Sequence, residues 1–474
     1  MLFDRQRLGN IILFSADVVI LFLILLLSLF ARTVLPKVIP GISAFHADMN
    51  TFLLFFPFWI ATLAYEGAYA RKFTFWDEVK LLWKVSFFST LTVLFILFLG
   101  KMSSEVSRAV ILLMGSFSLG IFPALRITVK RLLINSGMLK SRVLIVGTGD
   151  MGKRTLDALR REPNLGYEVV GFIDENRSGK KHSIGGVKIY GRLLQIERYV
   201  KSGDIQDVVI AVPGIDKEKL SRLINKLQHK VKNVLYIPDV AGMAATGTEL
   251  RHFFHDQLLA IEIKNNLAKP FNYFAKRMFD YIVGIVLLIS LSIPLAVISI
   301  MIRLTSPGPA IFKHRRIGRH GQSFYCYKFR TMYKDSEERL MRILEKDPGA
   351  RDEWEKSWKL KDDPRITKIG NFLRKTSLDE LPQIFNVLKG EMSLVGPRPV
   401  VQDEITKYYK DAAKLCFSVL PGITGLWQVS GRSDTSYEHR ISLDSWYVRN
   451  WNLWLDIVIL LKTIHVVLKK EGAR

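Results

Sequence analysis

Two adjacent carboxylates, Asp379 and Glu380, lie in the most distinctive stretch of this 474-residue chain, residues 377–383. The surrounding sequence is basic, with Arg365, Lys368, Arg374 and Lys375 before the pair and Lys389 and Arg398 after it. Cations bind phosphate oxygens and a carboxylate can bind a metal ion, so acids held among cations are typical of a phosphate site. The pattern therefore predicts chemistry on a phosphate group at this pair.

The same segment also has an ordinary structural interpretation. Ser377 and Glu380 have the spacing of a capping box, and acids in a first helical turn are common stabilisers. Pro382 weakens that register, because it fits a first turn only if the helix begins later. A helix N-terminus there would attract phosphate, and the nearby cations are expected to depress the pKa of Asp379. An ionised Asp379 can attack phosphorus as a nucleophile, and Glu380 can hold Mg²⁺.

Lys328 and Arg330 lie in residues 325–332, where aromatic and basic residues alternate. Side chains two residues apart point to the same face of a strand. The spacing therefore predicts two phosphate-binding cations on one face. The alternative is an exposed strand edge whose charges are solvated.

The overall charge of the chain favours anionic partners. Lys and Arg outnumber Asp and Glu by 68 to 44, which gives a formal net charge of +24. Phospholipid and nucleotide fit such an excess. We expect no nucleic-acid partner, because long apolar runs place much of the chain in lipid. The two cysteines, Cys326 and Cys416, lack metal-ligand spacing and indicate reduced thiols of a cytoplasmic domain.

Four apolar runs predict a bundle of four transmembrane helices within residues 1–135. The runs cover residues 11–30, 51–65, 85–99 and 109–125. The first run is too long and too weakly bounded for a cleaved signal peptide. Lys and Arg are enriched before the first run, between the second and third, and after the fourth. The positive-inside rule places those segments in the cytoplasm.

A fifth apolar run, residues 281–302, has basic residues on both sides. Both of its ends are therefore expected in the cytoplasm, which predicts a re-entrant helix over residues 278–303. Pro294 should kink this helix, and Ser290 and Ser292 should satisfy the backbone carbonyls that the kink frees. The alternative is a fifth span, which would place the basic C-terminal part outside the cell. The flanking cations are Lys276, Arg277, Arg303, Lys313, Arg315 and Arg316.

Residues 136–245 alternate apolar strands with amphipathic helices, which predicts a parallel, doubly wound, Rossmann-like sheet. Gly147, Gly149 and Gly152 follow a strand and open a helix, and Asp174 comes about 20 residues later, as in a dinucleotide fingerprint. These four residues are candidate contacts of a nucleotide or dinucleotide. The alternative is a fold kept for dimerisation or regulation. Because the domain has no Tyr-x-x-x-Lys, we do not expect it to be a redox enzyme.

The remaining sequence predicts a linker over residues 246–274 and a mainly helical catalytic domain over residues 275–474. Residues 445–470 are amphipathic and contain three tryptophans near basic residues. Tryptophan favours the membrane interface, so we expect helices that lie on the inner leaflet. The alternative is that these tryptophans belong to the domain core.

The segment from Lys276 onward resembles the monotopic phosphoglycosyl transferases, also called polyprenyl-phosphate hexose-1-phosphate transferases. The matching segments occur in family order: Lys276-Arg-Met-Phe-Asp280, Lys328-Phe-Arg-Thr-Met332, Asp363-Pro-Arg-Ile-Thr-Lys368, Thr376-Ser-Leu-Asp-Glu-Leu-Pro-Gln383, Gly396-Pro-Arg-Pro399, Pro421-Gly-Ile-Thr-Gly425 and Gln428-Val-Ser-Gly-Arg432. The apolar runs and the middle domain resemble the long-form members, above all those that transfer galactose-1-phosphate. One departure is that Ile293 separates Ser292 from Pro294, where the family often has Ser-Pro.

The resemblance implies a two-step transfer of hexose-1-phosphate, with galactose-1-phosphate favoured, from a UDP-sugar to undecaprenyl phosphate. Asp379 would attack the sugar-bearing β-phosphate, UMP would leave, and the lipid phosphate would attack the phosphoryl-aspartate. Glu380 is the implied ligand of the Mg²⁺ cofactor. The implied substrate contacts are Lys328, Arg330, Arg365, Arg374, Gln383 and Arg398. The reaction would begin O-antigen, capsule or exopolysaccharide synthesis on the cytoplasmic face of the bacterial inner membrane, and we expect a homodimer.

Other functions remain open from the sequence. The same transfer with glucose-1-phosphate or an N-acetylhexosamine-1-phosphate fits the same residues. An NAD-dependent membrane sugar dehydratase or epimerase would instead use the Gly147 motif. A non-catalytic membrane scaffold for polysaccharide export is a third class.

Overall fold

The computed structural model describes residues 2–38, 56–100, 106–174, 183–239, 249–253, 258–262, 270–357, 360, 363–431 and 436–469. The chain divides into two compact units, Met1–Val240 and Ala241–Arg474. Of the predicted linker over residues 246–274, the structure describes about half, residues 249–253, 258–262 and 270–274.

The first unit begins with four apolar helices. They are α1 (Leu2–Val38), α2 (Phe56–Tyr65), α3 (Phe75–Leu99) and α4 (Arg108–Asn135). By length and composition, α1, α3 and α4 are able to cross a membrane, whereas α2 has ten described residues. Part of the predicted second span, residues 51–55, lies outside the described residues. Trp59, Leu82 and Phe122 are fully buried where the four helices pack together.

A mostly parallel sheet with helices follows in the same unit, so the predicted parallel α/β region is confirmed. Its elements are β1 (Ser141–Val146), α5 (Asp150–Arg161), β2 (Tyr167–Asp174), β3 (Ser183–Ile184), β4 (Val187–Arg192), α6 (Ile196–Ser202), β5 (Asp207–Ile210), α7 (Lys217–Leu227) and β6 (Asn233–Tyr236). The strand order is β3-β4-β2-β1-β5-β6, and every neighbouring pair except β3–β4 is parallel.

The two faces of this sheet are covered by different helices. Leu156 of α5 packs with Val143 and Phe172 on one face. Residues of α6 and α7 pack with Leu144 and Val208 on the other. The chain continues to β2 on one side of β1 and to β5 on the other. Such a switch in direction opens a crevice at the C-terminal end of the strands, and the Gly147 loop begins there.

Buried charges join the sheet to the apolar helices of the first unit. Glu78 of α3 accepts from Asn164 Nδ2 at 2.6 Å and pairs with Arg126 Nε of α4 at 3.2 Å. Asp207, at the start of β5, is fully buried and pairs with Lys72 Nζ at 3.0 Å. A buried charge without a partner costs several kcal/mol, so these pairs fix how the two parts meet. They hold the N-terminal edge of the sheet and leave the Gly147 loop at the opposite edge.

The second unit contains the hairpin β7 (Glu249–Phe253) and β8 (Leu258–Glu262), followed by α8 (Pro270–Thr305). Helix α8 has 36 residues and runs through Pro294 as one helix, with its apolar side chains largely exposed. Ser290 and Ser292 donate to carbonyls four and three residues earlier. The carbonyl that Pro294 frees is that of Ser290 itself, so the prediction that these serines satisfy it is wrong. The re-entrant path stays a prediction.

The rest of the second unit is mainly helical, as predicted. Its elements are β9 (Ile311–Ile317), β10 (Ser323–Phe329), α9 (Ser336–Lys346), α10 (Pro348–Ser357), α11 (Lys368–Thr376), α12 (Gln383–Lys389), β11 (Ser393–Val395), α13 (Gln402–Glu404, continued by a π-helix, Ile405–Tyr409), α14 (Ala412–Cys416), β12 (Gly422–Thr424), α15 (Tyr437–Arg449) and α16 (Leu453–Lys469). Strands β9 and β10 are antiparallel, and β11 and β12 are parallel.

A buried ion cluster fixes the start of α8 to the core of the second unit. Lys276 Nζ lies 2.6 Å from Asp456 Oδ2 of α16 and 3.4 Å from Asp280 Oδ1, and it donates to Val395 O of β11 at 3.0 Å. Tyr447 donates to Asp456 Oδ1 at 2.8 Å. The Lys-Arg-Met-Phe-Asp segment therefore has a structural role, because it anchors α8 beside the strand that precedes Gly396.

The C-terminal helices belong partly to the core. Trp451 is 2% exposed and packs with Tyr447 and Ile459 in a buried cluster. Trp446 is 38% exposed. An interfacial position is therefore wrong for Trp451, which follows the core alternative, while it stays a prediction for Trp446. Lys470 lies outside the described residues.

Candidate active site

One face of the β9–β10 hairpin forms the floor of the candidate site. In the antiparallel register, Lys328 lies opposite Phe312 and Cys326 lies opposite His314. Arg316 lies two residues beyond His314 on the same face. The hairpin therefore directs Lys328 and Arg316 to one side of the sheet, with Cys326 between their positions.

The Arg330 side chain makes different contacts from that of Lys328, which pairs with Glu380. Strand β10 ends at Phe329, one residue earlier. The Arg330 guanidinium donates to Pro307 O at 3.0 Å and to Ser306 O at 2.6 Å. Its contacts stabilise the turn that follows α8, so the structure does not bring it together with Lys328.

The Asp363–Gly370 segment positions the helix that leads to the carboxylate pair. Thr367 caps α11 by accepting from Gly370 N at 2.9 Å. A Cβ at Gly370 would lie 2.0 Å from Thr331 O, so only glycine permits this approach to the end of β10. Arg365 is buried and its guanidinium binds both carboxylate oxygens of Asp363 at 2.6–3.1 Å. The Arg365 side chain thus braces this loop.

The carboxylate pair lies on a short 3-10 turn between two helices. Ser377 ends α11 with a left-handed backbone, φ +56°, and its side chain makes no capping hydrogen bond. The turn then covers Leu378–Glu380, and Pro382 immediately precedes α12. The capping box suggested by Ser377 and Glu380 is therefore not formed. Pro382 instead allows α12 to begin only after the pair, as its position in the sequence predicted.

Glu380 is held by two cations at the edge of a small cleft. Its Oε1 accepts from Lys328 Nζ at 2.7 Å and lies 3.8 Å from Arg398 Nη2. The cleft is open to solvent, and the space in and above it amounts to about 280 Å³. Its lining residues are Arg316, Cys326, Lys328, Glu380, Gln383, Arg398, Pro399, Gly422, Ile423 and Gln428. Of the predicted substrate contacts, Lys328, Gln383 and Arg398 are brought together here.

Asp379 immediately precedes the cleft residue Glu380 and is half-buried. Burial raises the pKa of Asp379 above its ordinary value, Lys328 and Arg374 oppose the rise, and Glu380 adds to it. The predicted net depression of this pKa is therefore wrong, because desolvation outweighs the cations. Arg374 lies near enough to interact electrostatically with Asp379, and its Nε donates to Thr331 Oγ1 at 3.0 Å.

Close backbone packing positions Arg398. Gly396 N donates to Thr424 O, and Gly422 N donates to Pro397 O, both at 2.9 Å. A Cβ at Gly422 would lie 2.1 Å from Gly396 N. The glycines of these two segments thus let β11 and β12 approach, and the approach carries Arg398 to Glu380. Arg432, in the last matching segment, lies outside the described residues.

The structure adds Arg316 to the cleft, a residue to which the sequence analysis assigned no role there, and Gln428 of the last matching segment lines the cleft as well. Only the hairpin register reveals that Arg316 shares a face with Lys328. Gln428 is 8% exposed and donates to Ile423 O at 2.9 Å. Asn386, near the pair in sequence, instead pairs with the backbone of β10: its Oδ1 accepts from Tyr327 N at 3.0 Å.

The carboxylates of Asp379 and Glu380 suit a metal ion that is also bound by oxygen atoms of the substrate. Among the described residues, no group of three or more His, Cys, Asp or Glu side chains is arranged to hold a metal. Mg²⁺ is usually bound by one or two carboxylates together with substrate phosphates. Asp379 and Glu380 supply such oxygens beside cations that suit phosphate.

The glycine loop of the first unit forms a tightly packed turn between β1 and α5. Gly147 has φ +112°, and a Cβ at Gly152 would lie 2.1 Å from Gly147 O. Gly149 has open space where a Cβ would be. Thr148 Oγ1 donates to Asp174 Oδ2 at 2.6 Å. The four predicted residues therefore lie around the C-terminal ends of β1 and β2.

Comparison with known proteins identifies the family. The model of the family described as bacterial sugar transferase matches residues 271–470, which include the whole cleft. The UDP-galactose-lipid carrier transferase of Erwinia amylovora is 41% identical over 405 residues, covering 85% of this chain and 84% of that protein. The chain belongs to the bacterial sugar transferase family. This sugar transferase also matches, over residues 65–238, a family model described as CoA-binding domain.

Two further relatives cover both units of the sugar transferase. The undecaprenyl-phosphate galactose phosphotransferase of Salmonella typhimurium is 41% identical over 411 residues, 85% of this chain and 84% of that protein. The UDP-glucose:undecaprenyl-phosphate glucose-1-phosphate transferase of Escherichia coli is 33% identical over 337 residues, 70% of this chain and 68% of that protein.

Proposed function

We propose that this sugar transferase moves galactose-1-phosphate from UDP-galactose to undecaprenyl phosphate and releases UMP. The observation that carries the proposal is the cleft in which Glu380, Lys328 and Arg398 meet beside Asp379. Two of the relatives named above, each 41% identical, carry galactose in their names, which favours this sugar. Glucose-1-phosphate is the second candidate, because the Escherichia coli relative is named for it.

The transfer proceeds in two displacements at one phosphorus atom. A carboxylate oxygen of Asp379 attacks the β-phosphorus, and the bond from that phosphorus to the bridging oxygen breaks. UMP leaves with the electron pair of that bond. A phosphate oxygen of undecaprenyl phosphate then attacks the same phosphorus and displaces Asp379. The product is a lipid diphosphate that carries the sugar.

The chain's own side chains supply charge and shielding for both displacements. Lys328 and Arg398 stand where negative charge on the phosphoryl oxygens needs stabilisation. Partial burial of Asp379 limits the competition of water with the lipid for the phosphoryl-aspartate. The raised pKa makes the Asp379 carboxylate more basic than an exposed one, which strengthens it as a nucleophile once ionised.

Glu380 would hold Mg²⁺ in this site. When bound, the ion would supply positive charge that stabilises the donor's phosphate groups. Lys328 Nζ, 2.7 Å from Glu380 Oε1, orients that carboxylate towards the cleft. Arg330, Arg365 and Arg374 remain proposed phosphate contacts that would require substrate to bring them to the cleft. Loss of UMP release in EDTA, and its recovery with Mg²⁺, tests the assignment.

We further infer a position in the bacterial inner membrane, with the cleft on the cytoplasmic face. Helices α1, α3 and α4 are long and apolar enough to span, and basic residues near the N-terminal end of α1 and the C-terminal end of α4 favour a cytoplasmic location for these ends. Exposed Ile289, Ile293 and Ile300 on α8 suit contact with lipid. A re-entrant α8 keeps both its ends on the same side. Labelling of single introduced cysteines from each side of the membrane tests this topology.

The Gly147 loop is the proposed site of a nucleotide-containing regulator or structural ligand. The homodimer is a separate proposal. The crevice beside β1 and the open space at Gly149 support ligand approach there. The fold-level match to a domain described as CoA-binding agrees with a nucleotide-containing ligand. Binding of NAD, ATP and coenzyme A to the purified protein, measured by calorimetry, tests this site separately from the cleft.

Release of UMP tests the main proposal. Detergent-purified protein is incubated with Mg²⁺, with or without undecaprenyl phosphate, and with UDP-galactose, UDP-glucose or UDP-N-acetylgalactosamine. Lipid-dependent release of UMP from one donor is expected to identify both the reaction and the sugar. The exopolysaccharide, capsule or O-antigen pathway served then follows from genetic deletion. Turnover of a UDP-sugar with reduction of bound NAD would instead support a dehydratase.

A further inference from the structure

Arg316 lines the same cleft as Lys328 and Arg398, but it has no assigned role in the proposed transfer. Its side chain is 19% exposed and is held from behind by two acceptors. Nη1 donates to Glu404 Oε1 at 3.3 Å, and Nη2 lies 3.3 Å from His314 Nδ1. Burial lowers the pKa of His314, with nearby Arg316 and Lys328 adding to the effect, so the ring is neutral and Nδ1 can accept. The Arg316 guanidinium is therefore oriented.

The charges in and behind the cleft are unequal. Three cations, Arg316, Lys328 and Arg398, line the cleft with one carboxylate, Glu380. Behind the cleft, Glu404 pairs with Arg316 and Arg440, and Asp444 Oδ2 lies 3.9 Å from Arg440 Nε. Burial lowers the pKa of Arg316, and repulsion from Arg398 and Arg440 contributes to the decrease. Like charges that lie close together destabilise the protein when no ligand is bound. The excess of cations therefore indicates that an anion binds in this cleft.

The spacing of the cations suits an anion with two phosphate groups. Arg316 lies opposite Phe324, and Lys328 lies four residues further along β10. At about 3.3 Å per residue, their backbone positions are about 13 Å apart. Their long side chains then approach one ligand from two ends. The Lys328 end adjoins Glu380 and Asp379, where the β-phosphate reacts, and the Arg316 end is left for the other phosphate.

We propose that Arg316 binds the nucleotide-side α-phosphate of the sugar donor and that Glu404 is a positioning residue that holds the Arg316 guanidinium towards the cleft. This assignment rests on the proposed function, since it names the second phosphate of the same donor. When the bond to the β-phosphorus breaks, the bridging oxygen keeps the electron pair and the α-phosphate gains negative charge. A guanidinium fixed at that phosphate stabilises the charge without a proton transfer.

Two readouts separate this role from a structural one. Calorimetry measures binding of UMP, the leaving group, to full-length detergent-purified protein, and UMP release gives kcat and KM. Arg316→Gln is expected to weaken UMP binding at least tenfold and to lower kcat/KM about 100-fold. Arg316→Lys should recover part of both, because it keeps the charge but not the fork. Glu404→Gln should weaken UMP binding less than Arg316→Gln does.

Lys313→Gln is the matched control, because Lys313 is an exposed cation on the opposite face of the same strand. It should leave UMP affinity and turnover unchanged. Thermal unfolding shows which variants are folded, and Arg316→Lys serves if Arg316→Gln unfolds. Folded Arg316 variants that bind UMP as tightly as the unaltered protein would overturn the inference while leaving the proposed function intact. An unaltered protein that binds UMP through Arg316 but releases none from any donor would overturn the proposed function alone.

Discussion

Alanine substitutions in the glycine loop of the first unit should differ sharply in their effect on stability. A Cβ at Gly152 would lie 2.1 Å from Gly147 O, and one at Gly147 would lie 2.4 Å from Ala211 O. Both distances are below 3.0 Å and both involve backbone, so the main chain must move. Overpacking of this kind costs about 1–3 kcal/mol. Gly147 also has φ +112°, and a side chain in a left-handed conformation adds about 1–2 kcal/mol.

Gly149→Ala is the matched control in the same loop. Gly149 has φ −70°, and nothing lies within 4 Å of its would-be Cβ. Alanine there should change the free energy of unfolding by less than about 1 kcal/mol, because lost capping and reduced chain entropy offset each other. Catalysis should also stay measurable in this variant, since the cleft belongs to the other unit.

Thermal unfolding of the three full-length variants tests this contrast. One kcal/mol shifts the midpoint by about 2–4 °C in a domain of this size. Gly147→Ala and Gly152→Ala should therefore lower the first-unit midpoint by several degrees, whereas Gly149→Ala should not. An equal decrease of the unfolding midpoint in Gly149→Ala and Gly152→Ala would refute the packing argument.

Three other substitutions test the second unit by thermal unfolding. Asp456→Asn leaves buried Lys276 without its closest countercharge and should cost about 3–5 kcal/mol. Asp411 is exposed, so Asp411→Asn, the control, should change the free energy of unfolding by no more than about 0.5 kcal/mol. Similar losses of stability in the two variants would contradict a stabilising buried pair. Asn386→Ala removes three hydrogen bonds of 2.6–3.0 Å and should cost about 2–4 kcal/mol; an unchanged midpoint would show that they contribute little. Burial raises the pKa of Asp444 from 3.8 to about 6. The stabilisation of the folded state that comes from protonating Asp444 is therefore fully present below pH 3.8 and is lost as the pH rises through 6. Asp444→Asn should therefore gain stability relative to the unaltered protein between pH 4 and pH 7, by up to about 3 kcal/mol, and a pH-independent difference would exclude this effect.

The sequence predicted those features that depend on local pattern. Glycine spacing and alternating strands were sufficient for the sheet and for the position of the Gly147 loop. The Asp379–Glu380 pair was found because two acids among cations are rare, and Lys328 because it alternates with aromatic residues. In each case the informative residues are neighbours in the sequence.

The features that the sequence missed depend on distant contacts. The capping box failed because Ser377 adopts a left-handed backbone at the end of α11. The pKa of Asp379 rises because burial, which is invisible in a charge count, outweighs nearby cations. Arg316 joins the cleft through strand register, and Trp451 joins the core through packing with Tyr447. Composition alone gives none of these results.

Covalent attachment of the sugar phosphate to Asp379 is the central claim, and mass spectrometry tests it most directly. Purified protein is incubated with UDP-galactose and Mg²⁺ without undecaprenyl phosphate, then quenched and digested. The account predicts UMP release limited to about one turnover and a phosphohexosyl group on the peptide that contains Asp379. Asp379→Asn should show neither, and added undecaprenyl phosphate should remove the group from the unaltered protein. Lipid-dependent UMP release at the normal rate by Asp379→Asn would contradict the account.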